Sequence, residues 1–113
     1  MTAVEIVEGK KNITQHWMIK AEGHANFAPA GQDIVCAAVS SLIGSLRLTL
    51  QEWEARGEIL DYECVVYDGN LTIVFWAKTD VANILVENLE IGIRAIAEEY
   101  PDHVSIKHTK KEF

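Results

Sequence analysis

The apolar residues Val35, Val39, Leu42, Ile43, Leu46, Leu50 and Trp53 recur at steps of three and four. That spacing lines them up on one stripe of a helix running from about Asp33 to Arg56, and such a stripe must be buried against another layer. A second stripe, Val81, Ile84, Leu85, Leu89, Ile93 and Ile96, opens near Thr79-Asp80. Pro101 stops it, because proline cannot continue a helix. Between the two helices, residues 59–67 and 70–77 read as strands joined at Asp68-Gly69, a pair suited to the positive φ angles of a tight hairpin turn. Residues 2–8 and 13–22 read as two earlier strands, the second with Ile13, Trp17 and Ile19 among polar neighbours, and residues 103–109 supply a last one.

The order ββαββαβ predicts an α+β fold, a mostly antiparallel sheet with two helices packed on it. With 113 residues the chain has material for one domain, 1–113, and one core. Val65-Val66-Tyr67 and Leu71, Ile73, Val74, Phe75 and Trp76 make the hairpin apolar on both faces. A central hairpin follows, with helices on one side and a partner or a second helix layer on the other. Trp53 and Trp76 fit core positions.

Seventeen acidic and ten basic residues give a net charge of −7. That balance argues against direct nucleic-acid binding, which depends on Lys and Arg, and favours a basic partner. The basic cluster Lys107, His108, Lys110 and Lys111 reads as a solvated tail. Met1-Thr2-Ala3-Val4-Glu5 lacks the features of a signal peptide, and no apolar run approaches the roughly 20 residues that span a bilayer. No membrane partner is expected. Two cysteines far apart predict reduced thiols and a cytoplasmic setting.

Chemistry concentrates between residues 23 and 40. Asp33 is a preferred N-cap, which makes Cys36 the third helical residue, inside the positive end of the helix dipole. That field favours thiolate, while the carboxylate of Asp33 opposes it. His24, twelve residues earlier, follows a strand and can serve as a base if the loop folds back. Gly23 and Gly31 bracket that loop, whose stretch from Ala25 to Gln32 is short on apolar anchors and is predicted to be mobile. Phe27 and the small loop residues are candidates for an apolar pocket beside the pair. Ser40 lies one turn beyond Cys36 on the same helix face. On local rules alone, Cys36 reads better as a structural thiol buried among Ile, Val and Ala. Cys64, in a hairpin strand, reads as a packed core thiol. Cys36, Cys64, His16, His24, His103 and His108 show no paired zinc-ligand spacing, and no nucleotide fingerprint is present, so neither metal nor cofactor is expected.

Gly23-His24-Ala25, a short loop with a glycine, and then Asp33-Ile34-Val35-Cys36-Ala37-Ala38-Val39-Ser40 resemble the signature of the ribosomal-processing cysteine protease (Prp) family. The likeness covers nearly the whole chain, down to Ala97-Glu98-Glu99-Tyr100-Pro101 and a last strand. It implies a small bacterial cysteine endopeptidase that removes the N-terminal extension of large-subunit ribosomal protein number twenty-seven. It further implies His24 as general base and Cys36 as nucleophile, Asp33 and Ser40 as supporting residues, and Gly23, Ala25, Asn26, Phe27 and Gly31 as a substrate loop. A homodimer is also implied. Pro29 and Asn26-Phe27 make the loop less glycine-rich than the family pattern. Processing of a phage capsid or scaffold protein is one alternative, and a non-catalytic ribosome-associated module that grips a peptide is another.

Overall fold

A computed structural model describes residues 1–29 and 31–112; Ala30, within the predicted mobile loop, and Phe113 lie outside the described residues. The elements run β1 (Thr2–Lys11), β2 (Thr14–Glu22), α1 (Ile34–Ala55), β3 (Ile59–Tyr67), β4 (Asn70–Ala77), α2 (Val81–Glu99) and β5 (Val104–Glu112). The predicted order therefore holds. The five strands form one sheet in the order β3-β4-β2-β1-β5. Three of its pairings are antiparallel, and the fourth, β1 with β5, is parallel.

Register decides which side chains meet the helices. Ile6 pairs with Ile19 and Ile19 with Ile73, while Trp17 pairs with Phe75. All of these are buried, as alternation along a half-covered sheet requires. Val35, Val39, Ile43, Leu46 and Leu50 of α1 and Ala82, Val86, Leu89 and Ile93 of α2 close the same core from one side. By length and composition α1 is apolar enough to cross a bilayer, contrary to the expectation that no such run exists. Here its apolar stripe is instead packed on the sheet.

Several expectations need correction. Val81 and Ile84, placed in the core by spacing, are 42% and 68% exposed. The inner face of α2 runs through residues 82, 86, 89 and 93, and Ile84 stands about 200° around the helix from Ala82. Ile13 is 83% exposed because it lies in the β1–β2 turn, beside Asn12 at φ 58°, rather than in a strand. The hairpin is not central: β3 is an edge strand, and Val65, Val66 and Tyr67 are exposed. No second helix layer exists among the described residues, so Met18, Val74 and Trp76 lie half-buried on the face away from the helices. Trp76 packs there against His16, ring centroids 4.5 Å apart and planes tilted by 49°, rather than filling the core.

The basic cluster is no tail either. β5 carries Lys107, His108, Lys110 and Lys111 alongside β1. Lys107 faces Glu5 at 3.8 Å and Lys110 faces Glu8 at 3.6 Å, while His108 bridges Glu8 at 3.1 Å and Glu90 at 2.9 Å. Acidic residues on β1 and α2 thus hold His108 against the sheet, while the lysines stay solvated.

The start of α1 follows the capping rule. Asp33 sits in extended backbone, φ −81° and ψ 96°, and its Oδ1 accepts from the Cys36 N–H at 2.8 Å. Bonds from backbone amides, that of Cys36 first, hold the Asp33 carboxyl below its ordinary value of 3.8.

Truncating Ile93, fully buried, to alanine should cost about 2–5 kcal/mol. The same change at Ile84 should stay within about 0.5 kcal/mol, with urea unfolding as the measure. Asp33→Asn keeps a capping oxygen and loses the charge, so it should lower stability near neutral pH. Because the folded carboxyl titrates below 3.8, that difference is fully present above this pH and fades as pH falls through the folded value. Melting curves of both proteins between pH 2 and 7 test the trend.

Candidate active site

Three separate pieces of chain converge at one end of the sheet. The end of β2 delivers Gly23 and His24, the first turns of α1 deliver Cys36 and Ser40, and the β3–β4 hairpin delivers Val66, Gly69, Asn70 and Leu71. His24, Cys36 and Ser40 line two adjoining cavities. One, of about 360 Å³, is walled by Val39, Ile43, Val66 and Leu71, with Arg47 as its one formally charged lining residue. The other, of about 570 Å³, is bounded by Asn26, Ala28, Gly31 and Asp33. The histidine and the cysteine therefore face shared space, with room for chain on either side.

Asp33 joins these pieces. One carboxylate oxygen caps α1 at Cys36, and the other accepts from the Phe27 N–H at 3.0 Å. The same side chain thus starts the helix and folds the loop back over it. Cys36 is half-buried in the first helical turn. Ser40, Gly44 and Arg47 continue its stripe at steps of four, four and three.

The loop has more anchors than its composition predicts. Ala25 is 1% exposed, and its carbonyl accepts from His103 Nδ1 at 2.7 Å. Phe27 meets Tyr100 and His103 edge-on, with centroids 5.3 Å and 5.5 Å away. It is fastened to the α2–β5 junction and lines neither cavity, contrary to the expectation of a pocket beside the pair. Of the other loop residues, Gly23 lines the smaller cavity and Asn26 and Gly31 line the larger.

His24 makes no hydrogen bond among the described residues. The backbone before it is fixed instead: the Gly23 N–H donates to Asn70 Oδ1 at 3.3 Å, and Thr2 Oγ1 donates to the Gly23 carbonyl at 3.4 Å. Cys64 packs beneath β3 on the helix side and borders neither cavity. No group of three or more His, Cys, Asp or Glu among the described residues could hold a metal ion.

Sequence reasoning missed Gly44, Arg47, Val66, Asn70 and Leu71. The helix stripe through Cys36 and Ser40 was a signal for the first two. The hairpin residues carry none, since their place depends on strand order.

Known proteins resemble this chain in sequence and in fold. The chain is 29% identical to the ribosomal processing cysteine protease Prp of Mycoplasma pneumoniae, over 90% of its length and 97% of the relative's. It is 32% identical to the protein of the same name from Mycoplasma genitalium, over 91% and 98%. Its fold matches the essential ribosomal processing protease Prp of S. aureus, solved with a covalently linked product peptide. That match has a TM-score of 0.73 at 19% identity and covers 96% of this chain and 99% of the other. The profile of the family described as Cysteine protease Prp spans residues 1–105, and the chain belongs to that family of cysteine peptidases.

Proposed function

We propose that the chain cleaves the N-terminal extension of a large-subunit ribosomal protein by attack of Cys36, with His24 as its base. The observation that carries this reading is the cleft itself: a thiol in a capped first helical turn and an imidazole share two cavities. The imidazole takes the proton from Sγ, and the thiolate adds to the scissile carbonyl carbon. The imidazolium then protonates the leaving amine, and water hydrolyses the thioester that remains. Asp33 supports the nucleophile by capping its helix, and Ser40 shares the wall of the cleft.

The names of the two mycoplasma relatives support a ribosomal substrate over a phage structural protein. The walls of the smaller cavity suit a bulky apolar side chain next to the cleaved bond. Arg47 stands in that wall, so any preference for basic peptides comes from the net charge of −7 at longer range and weakens with salt. Two cysteines left unpaired accord with a reducing, cytoplasmic setting. A homodimer fits as well, because Met18, Val74 and Trp76 form a half-buried apolar patch on the sheet face away from the helices.

With a ribosomal protein bearing its extension as substrate, Cys36→Ala should stay folded and lose cleavage completely. Cys64→Ala should cleave normally, at worst with a loss of stability. Cleavage by purified Cys36→Ala would overturn the assignment. Sedimentation at micromolar concentration should find a dimer that Trp76→Asp splits. A monomer for the unaltered chain throughout would remove the dimer from the account.

A further inference from the structure

We propose that the Asp68–Asn70 turn of the β3–β4 hairpin is a positioning element for His24. The missing side chain of Gly69 leaves a seat for the imidazole, and Asn70 fixes the backbone just before it. This rests on the reading of His24 as the base.

Gly69 has φ +78°. A Cβ placed on it would lie 2.8 Å from His24 Nε2, 3.1 Å from Cε1 and 3.6 Å from Cδ2. The first separation is shorter than carbon and nitrogen tolerate, so a methyl group and the ring cannot both occupy the present positions. The ring is the end of an exposed side chain, while Gly69 belongs to a turn fixed by strand pairing on both sides. The imidazole is therefore what yields. A hydrogen bond does not hold it in place among the described residues, so packing on the turn and the course of the backbone set where it stands.

That course is constrained on both peptide groups of Gly23, by Asn70 and by Thr2. Gly23 itself is confined: at φ +83°, a Cβ there would come within 2.6 Å of the Met1 carbonyl oxygen. Val66 and Leu71, from the same hairpin, wall the smaller cavity. A peptide side chain in that cavity thus touches the element that seats the base.

The test uses the full chain with Gly69→Ala, Gly57→Ala, Asn70→Ala and Asn70→Asp. Gly57 has φ +80° with nothing within 4 Å of its added Cβ, so it reports backbone strain without a displaced neighbour. Both glycine variants should melt lower by similar amounts. Gly69→Ala alone should lose kcat, on the order of tenfold to a hundredfold, with little change in KM. It should also shift the acidic limb of the pH profile for iodoacetamide alkylation of Cys36. Asn70→Ala should lose kcat less severely, and Asn70→Asp, which keeps an acceptor oxygen for Gly23, should regain most of it. If Gly69→Ala fails to fold, the two Asn70 variants decide the matter, and equal rates in both would overturn the proposal. Unaltered kcat and alkylation profile in folded Gly69→Ala would overturn it too. Should Cys36→Ala or His24→Ala still cleave, the catalytic reading itself falls; dead versions of both beside a fully active Gly69→Ala sink only the role of the hairpin.

Discussion

The Asp33 carboxylate accepts one hydrogen bond from Cys36, three residues ahead, and another from Phe27, six residues behind. Each bond satisfies an amide, but together they impose a shape. The first fixes where α1 begins, and so where in the helix field the thiol sits. The second folds the loop after His24 onto that helix end. Without the second bond, the loop would depend on Phe27 and Ala25 at the far α2–β5 junction for its course. The carboxylate that caps the helix of Cys36 is thus the same group that orders its surroundings. Its own ionisation is favoured by the amides it binds.

Placement of His24 and Cys36 relative to each other comes from the sheet. β2 and β4 are neighbours, so the end of one and the start of the other lie side by side, with Ala21 paired to Leu71. That pairing brings Asn70 to Gly23 across 47 residues of sequence. α1 packs over the same end of the sheet and presents Cys36, Ser40 and Gly44 toward the hairpin. A cleft between helix and hairpin results, with the histidine at its edge. Buried packing makes the frame rigid, and the chemistry sits on loops and element ends that the frame positions.

What could be read from the sequence was local. The α1 stripe, its cap at Asp33, the Asp68-Gly69 turn and the stop at Pro101 each depend on a few neighbouring residues, and each stands where spacing put it. That His24 and Cys36 border the same cavities was legible only through a motif, because nothing local shows that a loop of small residues folds back. Errors arose where the outcome depended on distant partners. Strand order put β3 at an edge and exposed Val65, Val66 and Tyr67, although their composition reads as core. Both stripes of α2 are apolar, and only the position of the sheet decides that Ala82 and Val86 are buried instead of Val81 and Ile84. The anchoring of Phe27 on Tyr100 likewise needs the α2–β5 junction to arrive from the other end of the chain.

The parallel pairing of β1 with β5 fixes where the two ends of the chain emerge. Thr2 lines the smaller cavity, and the Met1 carbonyl lies against Gly23, so β1 starts at the rim of the cleft. β5 runs in the same direction and finishes beside Lys10, roughly 26 Å further along the sheet at the usual rise per residue. Any polypeptide fused ahead of Met1 therefore emerges at the mouth of the cleft, with the reach to lie in it as a tethered competitor. Cargo joined behind β5 emerges at the remote edge of the sheet. For affinity handles, reporters and immobilisation, the two ends of this molecule are not equivalent.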